Sequence, residues 1–220
     1  MVDYKIKTVT DGSPHSYVIW HVPSLRFVDF KNKNVLDIGC GAGGFLTYLR
    51  NQYQSKVRGI DPNSNNAGKC KEVGIEVSVG YADEFMKQFE NEFDVVTSFE
   101  VLEHVYSHKD LFVPAHHFLK ENSPFTISTP NAFHILRLWS MLWGDHRDMM
   151  MDPTRDDGPE HIRLYSYKMM KRAFEKSGFS DIKVYGVLKL FNRAIVFKNR
   201  YLINYFAQHV VGVGYKKSRN

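Results

Sequence analysis

The chain has 220 residues, 43% of them hydrophobic and 14% aromatic, with a formal net charge of +5. That length and composition supply one domain with a sizeable core and argue against disorder, while the mild positive balance suits an anionic substrate, nucleic acid or an acidic surface without choosing among them. Two cysteines, Cys40 and Cys70, make no disulfide framework and no cysteine-based zinc site.

The start, "MVDYKIKTVTDG", lacks an apolar signal core, and the most apolar stretch, "AFHILRLWSMLW", is short and carries His134 and Arg137. No transmembrane segment and a cytoplasmic location are expected. "HSYVIWHVPSLRFVDF" reads as a helix interrupted at Pro23. A rhythm of strands and helices follows. "NVLDIG" is a buried strand, "GGFLTYLRNQ" a helix opening on glycines and "KVRGID" a second strand. "NSNNAGKCKEVG" is a helix with a glycine stop, "IEVSVG" a third strand, "DEFMKQF" a short helix and "FDVVTSF" a fourth strand. "LEHVYSHKDLFVPAHHFLKE" is mostly helical, with Pro114 as a candidate break, and "SPFTISTP" is the fifth strand. Such alternation marks a parallel sheet covered on both faces.

Beyond Pro130 the rhythm loosens. "NAFHILRLWSMLWG" reads as an apolar helix, and "DHRDMMMDPTRDDGPEH" as a charged loop. An insertion around 131–165 is expected to act as a lid over an acceptor pocket, with Met149, Met150 and Met151 lining the pocket or simply packing. "SYKMMKRAFEKSGF" is a helix, "DIKVYGVLK" a strand, and a helical insertion is expected around 190–207. "HVVGVGYKK" closes as a last strand.

Gly39, Gly41 and Gly44 keep the G-x-G-x-x-G spacing, which lets a backbone approach a ligand closely at a helix amino end. Asp61, about 20 residues on, stands where an acid can bind ribose hydroxyls. Both features serve nicotinamide dinucleotides and S-adenosylmethionine alike. Asp37 separates them: a carboxylate beneath the turn repels a pyrophosphate and suits an ammonium and a sulfonium.

"VLDIGCGAGGF", "GIDPN", "YAD" and "FDVVTSFEVLEHV", in that order, resemble the class I S-adenosylmethionine-dependent methyltransferases. The resemblance implies a Rossmann-like α/β fold: a seven-stranded, mostly parallel sheet, helices on both faces, and an antiparallel last strand. It makes the chain a single methyltransferase domain and places Asp37, Gly39, Cys40 and Gly41 at the methionine end of the cofactor. Asp61 and Pro62 would meet the ribose, Ala82 and Asp83 the adenine, and Phe99 the region of the sulfur. The bland alternative for Asp61 and Asp83 is capping of the next helix.

"FEVLEHV" carries Glu100, Glu103 and His104, which a helix starting there would put on one face at the carboxyl end of the fourth strand. Two carboxylates beside an imidazole repel unless a cation neutralises them, and His161 in "PEHIRLYS" could add a fourth ligand. This arrangement resembles the ubiquinone-biosynthesis O-methyltransferases and, in its metal motif, the small-RNA 2′-O-methyltransferases. "ISTPN", residues 127–131, fits both. The resemblance implies a divalent ion, Mg²⁺ or Mn²⁺, held by Glu100, Glu103, His104 and His161, with Glu100 and His104 at the catalytic position. Two other readings remain open: His104 as a general base without metal, and a structural helix start.

The expected function is methyl transfer from S-adenosylmethionine to a hydroxyl of a small molecule. RNA 2′-O-methylation stands second, because no run of interleaved basic and aromatic residues marks an RNA track. A nicotinamide-dependent oxidoreductase stands third, opposed by Asp37 and by the absence of an evident second nucleotide-binding half. Tyr17, Trp20 and His21 are candidates to cap the cofactor.

Overall fold

The computed structural model describes residues 21–144, 161–190 and 193–218. The chain builds one eight-stranded sheet from β1 (Asn34–Ile38), β2 (Lys56–Asp61), β3 (Glu76–Val79), β4 (Val95–Phe99), β5 (Pro124–Pro130), β6 (Phe179–Leu190), β7 (Arg193–Phe197) and β8 (His209–Lys216). The strand order is β3-β2-β1-β4-β5-β8-β6-β7. The first five strands pair in parallel; β8 runs antiparallel between β5 and β6, and β7 runs antiparallel to β6. The helices are α1 (Val22–Phe27), α2 (Gly44–Tyr53), α3 (Ser64–Glu72), α4 (Lys109–Phe118), α5 (Ile135–Leu142), α6 (Tyr167–Lys176) and α7 (Arg200–Phe206).

Successive side chains of a strand point to opposite faces, and β1 uses both. Val35 joins a core with Phe30, Phe45, Leu49, Val95 and Val211, while Leu36 joins another with Val96, Phe112, Phe118, Phe125 and Phe174. A strand buried on both sides must be apolar throughout, which is why "NVLDI" reads as a continuous run. Asp37 is the exception inside it, and only 4% of its surface is exposed.

Pro23 stands in the first turn of α1, where its missing N–H costs nothing, and the residues before His21 lie outside those described. Four local expectations change. Helix α4 continues through Pro114. The segment around 190–207 is only partly helical: residues 193–197 pair with β6 as an eighth strand, and the helix is confined to α7. Its "RAIVF" run is β-branched and apolar, which favours a strand when a neighbouring edge is available. "FEVLEHV" forms no α-helix. Glu100 takes a left-handed backbone (φ 57°), a short 3₁₀ turn covers Leu102–His104, and α4 begins at Lys109. "DEFMKQF" likewise shortens to a 3₁₀ turn over Ala82–Phe85. Most of the charged loop expected as a lid, including Met149, Met150 and Met151, lies outside the described residues, as do Tyr17 and Trp20.

Candidate active site

The carboxyl ends of β1, β2 and β4 define one side of the site. Gly39 has φ +76°, and a β-carbon there would run into the Val101 methyls. Gly41 also has a positive φ, +54°, but faces open space with no atom within 4 Å of a notional β-carbon. The loop is tied down by its neighbours. Gly39 N–H donates to the Ile60 carbonyl (2.7 Å) and Gly41 N–H to Asp61 Oδ2 (2.8 Å). Asp61 also accepts from Asn63 N–H (2.9 Å) and Asn66 Nδ2 (3.1 Å). It therefore clamps the glycine loop to the start of α3, while the helix cap itself is Asn63, whose side chain accepts from Asn65 N–H.

Beside this loop lies a cavity of about 740 Å³ whose wall includes Ile38, Gly39, Ile60, Pro62, Ala82 and Asp83. Asp37, Cys40, Gly41, Asp61 and Phe99 lie outside that wall. The Cys40 side chain packs beneath the loop with Leu46, Cys70 and Ile75, so only its backbone belongs to the turn. Phe99 sits at the end of β4 in an aromatic cluster, with its ring 4.4 Å from His21 and 5.0 Å from Phe45. Burial lowers the His21 pKa to about 3, opposed by the nearby Glu100 carboxylate, so this imidazole is neutral and packs as an aromatic.

Asp37 accepts a hydrogen bond from Thr97 Oγ1 (2.6 Å) on β4. Burial raises its pKa to about 7, with Thr97 opposing the rise and Asp61 adding to it. A buried carboxyl poised near neutrality gains most from a cationic ligand, because a positive charge favours its ionised form. The glycine cradle and this carboxyl fit an adenosine-bearing cation.

A second cavity, about 560 Å³, opens where β4, β5 and β6 end and β8 begins. Its wall contains Glu100, Glu103, His104, His161 and His209, together with Pro130, His134, Arg137, Lys189 and Gln208. His104 lines both cavities and is where they meet.

Glu103, His104 and His161 converge here, each offering a ligand atom within 4.8 Å of the others. Glu103 is only 1% exposed, with Oε1 3.9 Å from His161 Nε2. The Glu103 carbonyl accepts from Ile162 N–H (2.9 Å) and Arg163 N–H (3.2 Å), which pins the segment following His161 against the 3₁₀ turn. A buried carboxylate facing two imidazoles is a donor set that suits a divalent ion.

Glu100 is not in this cluster. Its left-handed backbone turns the side chain towards β5 and β8, where Ser128 Oγ donates to Oε1 (2.6 Å) and His209 Nε2 lies 2.8 Å from Oε2. Burial, the largest influence on Glu100, pushes its carboxyl up. His209 and Ser128 outweigh that and hold it below the ordinary range. The four-ligand set that the resemblance implies thus divides into a triad and a separate Glu100–His209 pair, because the segment turns at Glu100 instead of continuing as a helix.

His209 escaped the reading of residues, and its signal was topological. It is the first residue of β8 and stands opposite Pro130, the last of β5. An antiparallel strand brings its own beginning to the edge where parallel strands end. Arg137 and His134 reach the same cavity from α5, and Lys189 from the end of β6.

The fold is that of the S-adenosylmethionine-dependent methyltransferases. A solved structure of this kind from Archaeoglobus fulgidus matches with a TM-score of 0.65 over 90% of this chain and 93% of its own, at 21% identity. A second, from Thermotoga maritima, described as a possible histamine N-methyltransferase, gives 0.64 over 84% and 82% at 19% identity.

Residues 21–184 match the family model described as a methyltransferase domain, and the chain belongs to that family. It resembles the ubiquinone biosynthesis O-methyltransferases: that of Pseudomonas aeruginosa is 34% identical over 137 residues, 60% of this chain and 59% of the relative. That of Aromatoleum aromaticum is 40% identical over 86 residues, 36% of each. The match thus spans about three-fifths of the length of the first of these relatives. The chain is a class I S-adenosylmethionine-dependent methyltransferase, which removes the nicotinamide alternative. Among the described residues no helix is long and apolar enough to cross a membrane.

Proposed function

We propose that the chain transfers the methyl group of S-adenosylmethionine to a hydroxyl of a small molecule, with a divalent ion held by Glu103, His104 and His161. The observation that carries this reading is the convergence of the three donors at His104, where the two cavities meet. The likeness to ubiquinone biosynthesis O-methyltransferases supports oxygen as the methylated atom.

The cofactor supplies an already activated methyl, so the protein's task is to align an acceptor and help it lose a proton. A divalent ion, when bound, lowers the pKa of an acceptor hydroxyl and fixes its direction; mixed oxygen and nitrogen donors admit Mg²⁺ or Mn²⁺. Asp37 balances the cofactor's positive charge from beneath the glycine turn. Gly39 lets the cofactor approach the backbone, and Pro62, Ala82 and Asp83 form the wall for its adenosine. Glu103, held by the backbone of residues 162 and 163, directs His104 and His161 at one point. Glu100, paired with His209, stands beside them as a hydrogen-bond acceptor on the acceptor's side.

The test is methyl transfer from labelled S-adenosylmethionine to small hydroxylated acceptors, before and after chelation. Transfer is expected to stop on chelation and return with Mg²⁺ or Mn²⁺. Undiminished turnover without metal removes the ion from the account, and label entering only added RNA removes the small-molecule acceptor.

A further inference from the structure

Helix α6 concentrates positive charge on a face that neither cavity uses. Met169, Arg172, Ala173 and Lys176 stand at i, i+3, i+4 and i+7, so they share one side of the helix. They line a concavity of about 410 Å³ that shares no lining residue with the cofactor or the acceptor cavity. Its wall is completed by Arg163, Leu164 and Tyr165, and by His108 at the start of α4. Tyr165 and Ala173 are buried beneath it, whereas Arg163, Arg172 and Lys176 are exposed around it. An apolar floor thus carries a cationic rim.

The backbone around the concavity is held in place. Arg163 N–H donates to the Glu103 carbonyl (3.2 Å), and Ala132 N–H donates to the Tyr165 carbonyl (2.8 Å). Ser166 caps α6 by accepting from Met169 N–H (3.3 Å). Among the described residues no carboxylate lines the wall, and Arg163, Arg172 and Lys176 make no ion pair. The carboxylates on the same helices are engaged elsewhere: Asp110 accepts from Ser107 N–H (3.1 Å), and Glu175 lies 3.7 Å from Lys171. His108 registers the imbalance. Burial lowers its basicity most, and Lys109, Lys176 and Arg163 lower it further, with Asp110 alone opposing them.

We propose that this concavity binds a small phosphate-bearing molecule, with the phosphate held by Arg163, Arg172 and Lys176 and the apolar body lying against Leu164 and Met169. Guanidinium forks match phosphate oxygens in paired hydrogen bonds, and an ammonium adds a point charge. Three permanent cations suit a dianion better than a single carboxylate, and a concave wall focuses their field. The cations converge on one concavity instead of continuing as a track, and its one aromatic ring, Tyr165, is buried, so no platform is offered to successive bases of a nucleic acid. Met169 is the wall's one exposed large apolar side chain, too little to enter a lipid surface.

The experiment follows the full chain by NMR, with isotope-labelled methionine methyls, as inorganic phosphate and then phenyl phosphate are added at about 0.15 M NaCl, where a diffuse field is screened. The Met169 signal, assigned with Met169→Leu, is expected to move and saturate. Phenyl phosphate should bind about fivefold or more tighter than inorganic phosphate, because its ring covers the apolar floor. Arg172→Gln and Lys176→Gln should each weaken binding about fivefold or more, while the other methionine signals report that the fold is kept. Lys168→Gln removes the same charge from the same helix outside the concavity and should change nothing. A Met169 signal that stays still, or an equal loss in Lys168→Gln, overturns the proposal. So does movement caused only by an RNA oligomer or by phosphatidylglycerol vesicles, which would assign the face to a polymer or a membrane.

Discussion

The two cavities that meet at His104 differ in how many parts of the chain build them. The proposed cofactor side draws on two stretches of chain: residues 38–86 supply the glycine loop, its Asp61 clamp and one wall, and residues 101–114, the 3₁₀ turn running into α4, supply the other. The acceptor side is assembled from five places far apart in sequence, near residues 100, 137, 161, 189 and 209, through long polar side chains. A backbone cradle tolerates few substitutions and serves one cofactor, whereas a wall of side chains on separate elements can be re-lined without disturbing the sheet. The invariant part of the reaction and its selectivity therefore sit on different physical supports.

The sharpest way to break this picture is to compare two glutamates three residues apart. Glu103→Gln should lower kcat/KM by about 100-fold or more, because the triad loses its charged ligand. Glu100→Gln should cost about tenfold, since it weakens the pairing with His209 and leaves the triad in place. Steady-state kinetics with saturating Mn²⁺ decides the matter. Equal losses would join Glu100 to the ion after all.

A smaller effect, of two signs, is expected at Asp37. The native pKa is raised from 3.8 to about 7, so the folded protein holds a proton there that the unfolded chain has lost, and stability falls as pH rises through that window. The penalty reaches at most roughly 4 kcal/mol above pH 7. Asp37→Asn should therefore raise the melting temperature of the cofactor-free protein at pH 8 while weakening S-adenosylmethionine binding about tenfold or more. In the wild type, affinity for the cationic cofactor should rise with pH through 7. An asparagine variant that binds as tightly as wild type would remove Asp37 from the cofactor's charge balance.

The smallest effect concerns His21. Its native pKa is lowered from 6.5 to about 3, so the unfolded chain takes up a proton first and stability is lost as pH falls through that window. His21→Phe keeps an aromatic ring between Phe45 and Phe99 and should flatten the acid limb of a denaturant-stability profile between pH 6.5 and 4. An unchanged limb would mean that this cluster opens below pH 6.5.

Legibility followed the same division. Strands β1 to β5 and the glycine loop could be read from the residues because apolar runs, turn residues and a buried acid are all local signals. Strand β7 was hidden because "RAIVF" becomes a strand only when the edge of β6 is there to receive it. Glu100 was misplaced for a related reason: the i, i+3, i+4 spacing presumes helical dihedrals, and one left-handed residue turned the side chain from the triad to Ser128. His209 and Lys189 carry no motif, and only the strand order brings them to the acceptor.

The most direct test of the whole arrangement is a crystal structure with S-adenosylhomocysteine and Mn²⁺, with the metal located by anomalous scattering. The account predicts the nucleoside against Gly39, Pro62 and Asp83, and one Mn²⁺ peak bounded by Glu103, His104 and His161, with Glu100 still turned to His209. A peak bound by Glu100 with His209 displaced, or none within reach of His104, would contradict it.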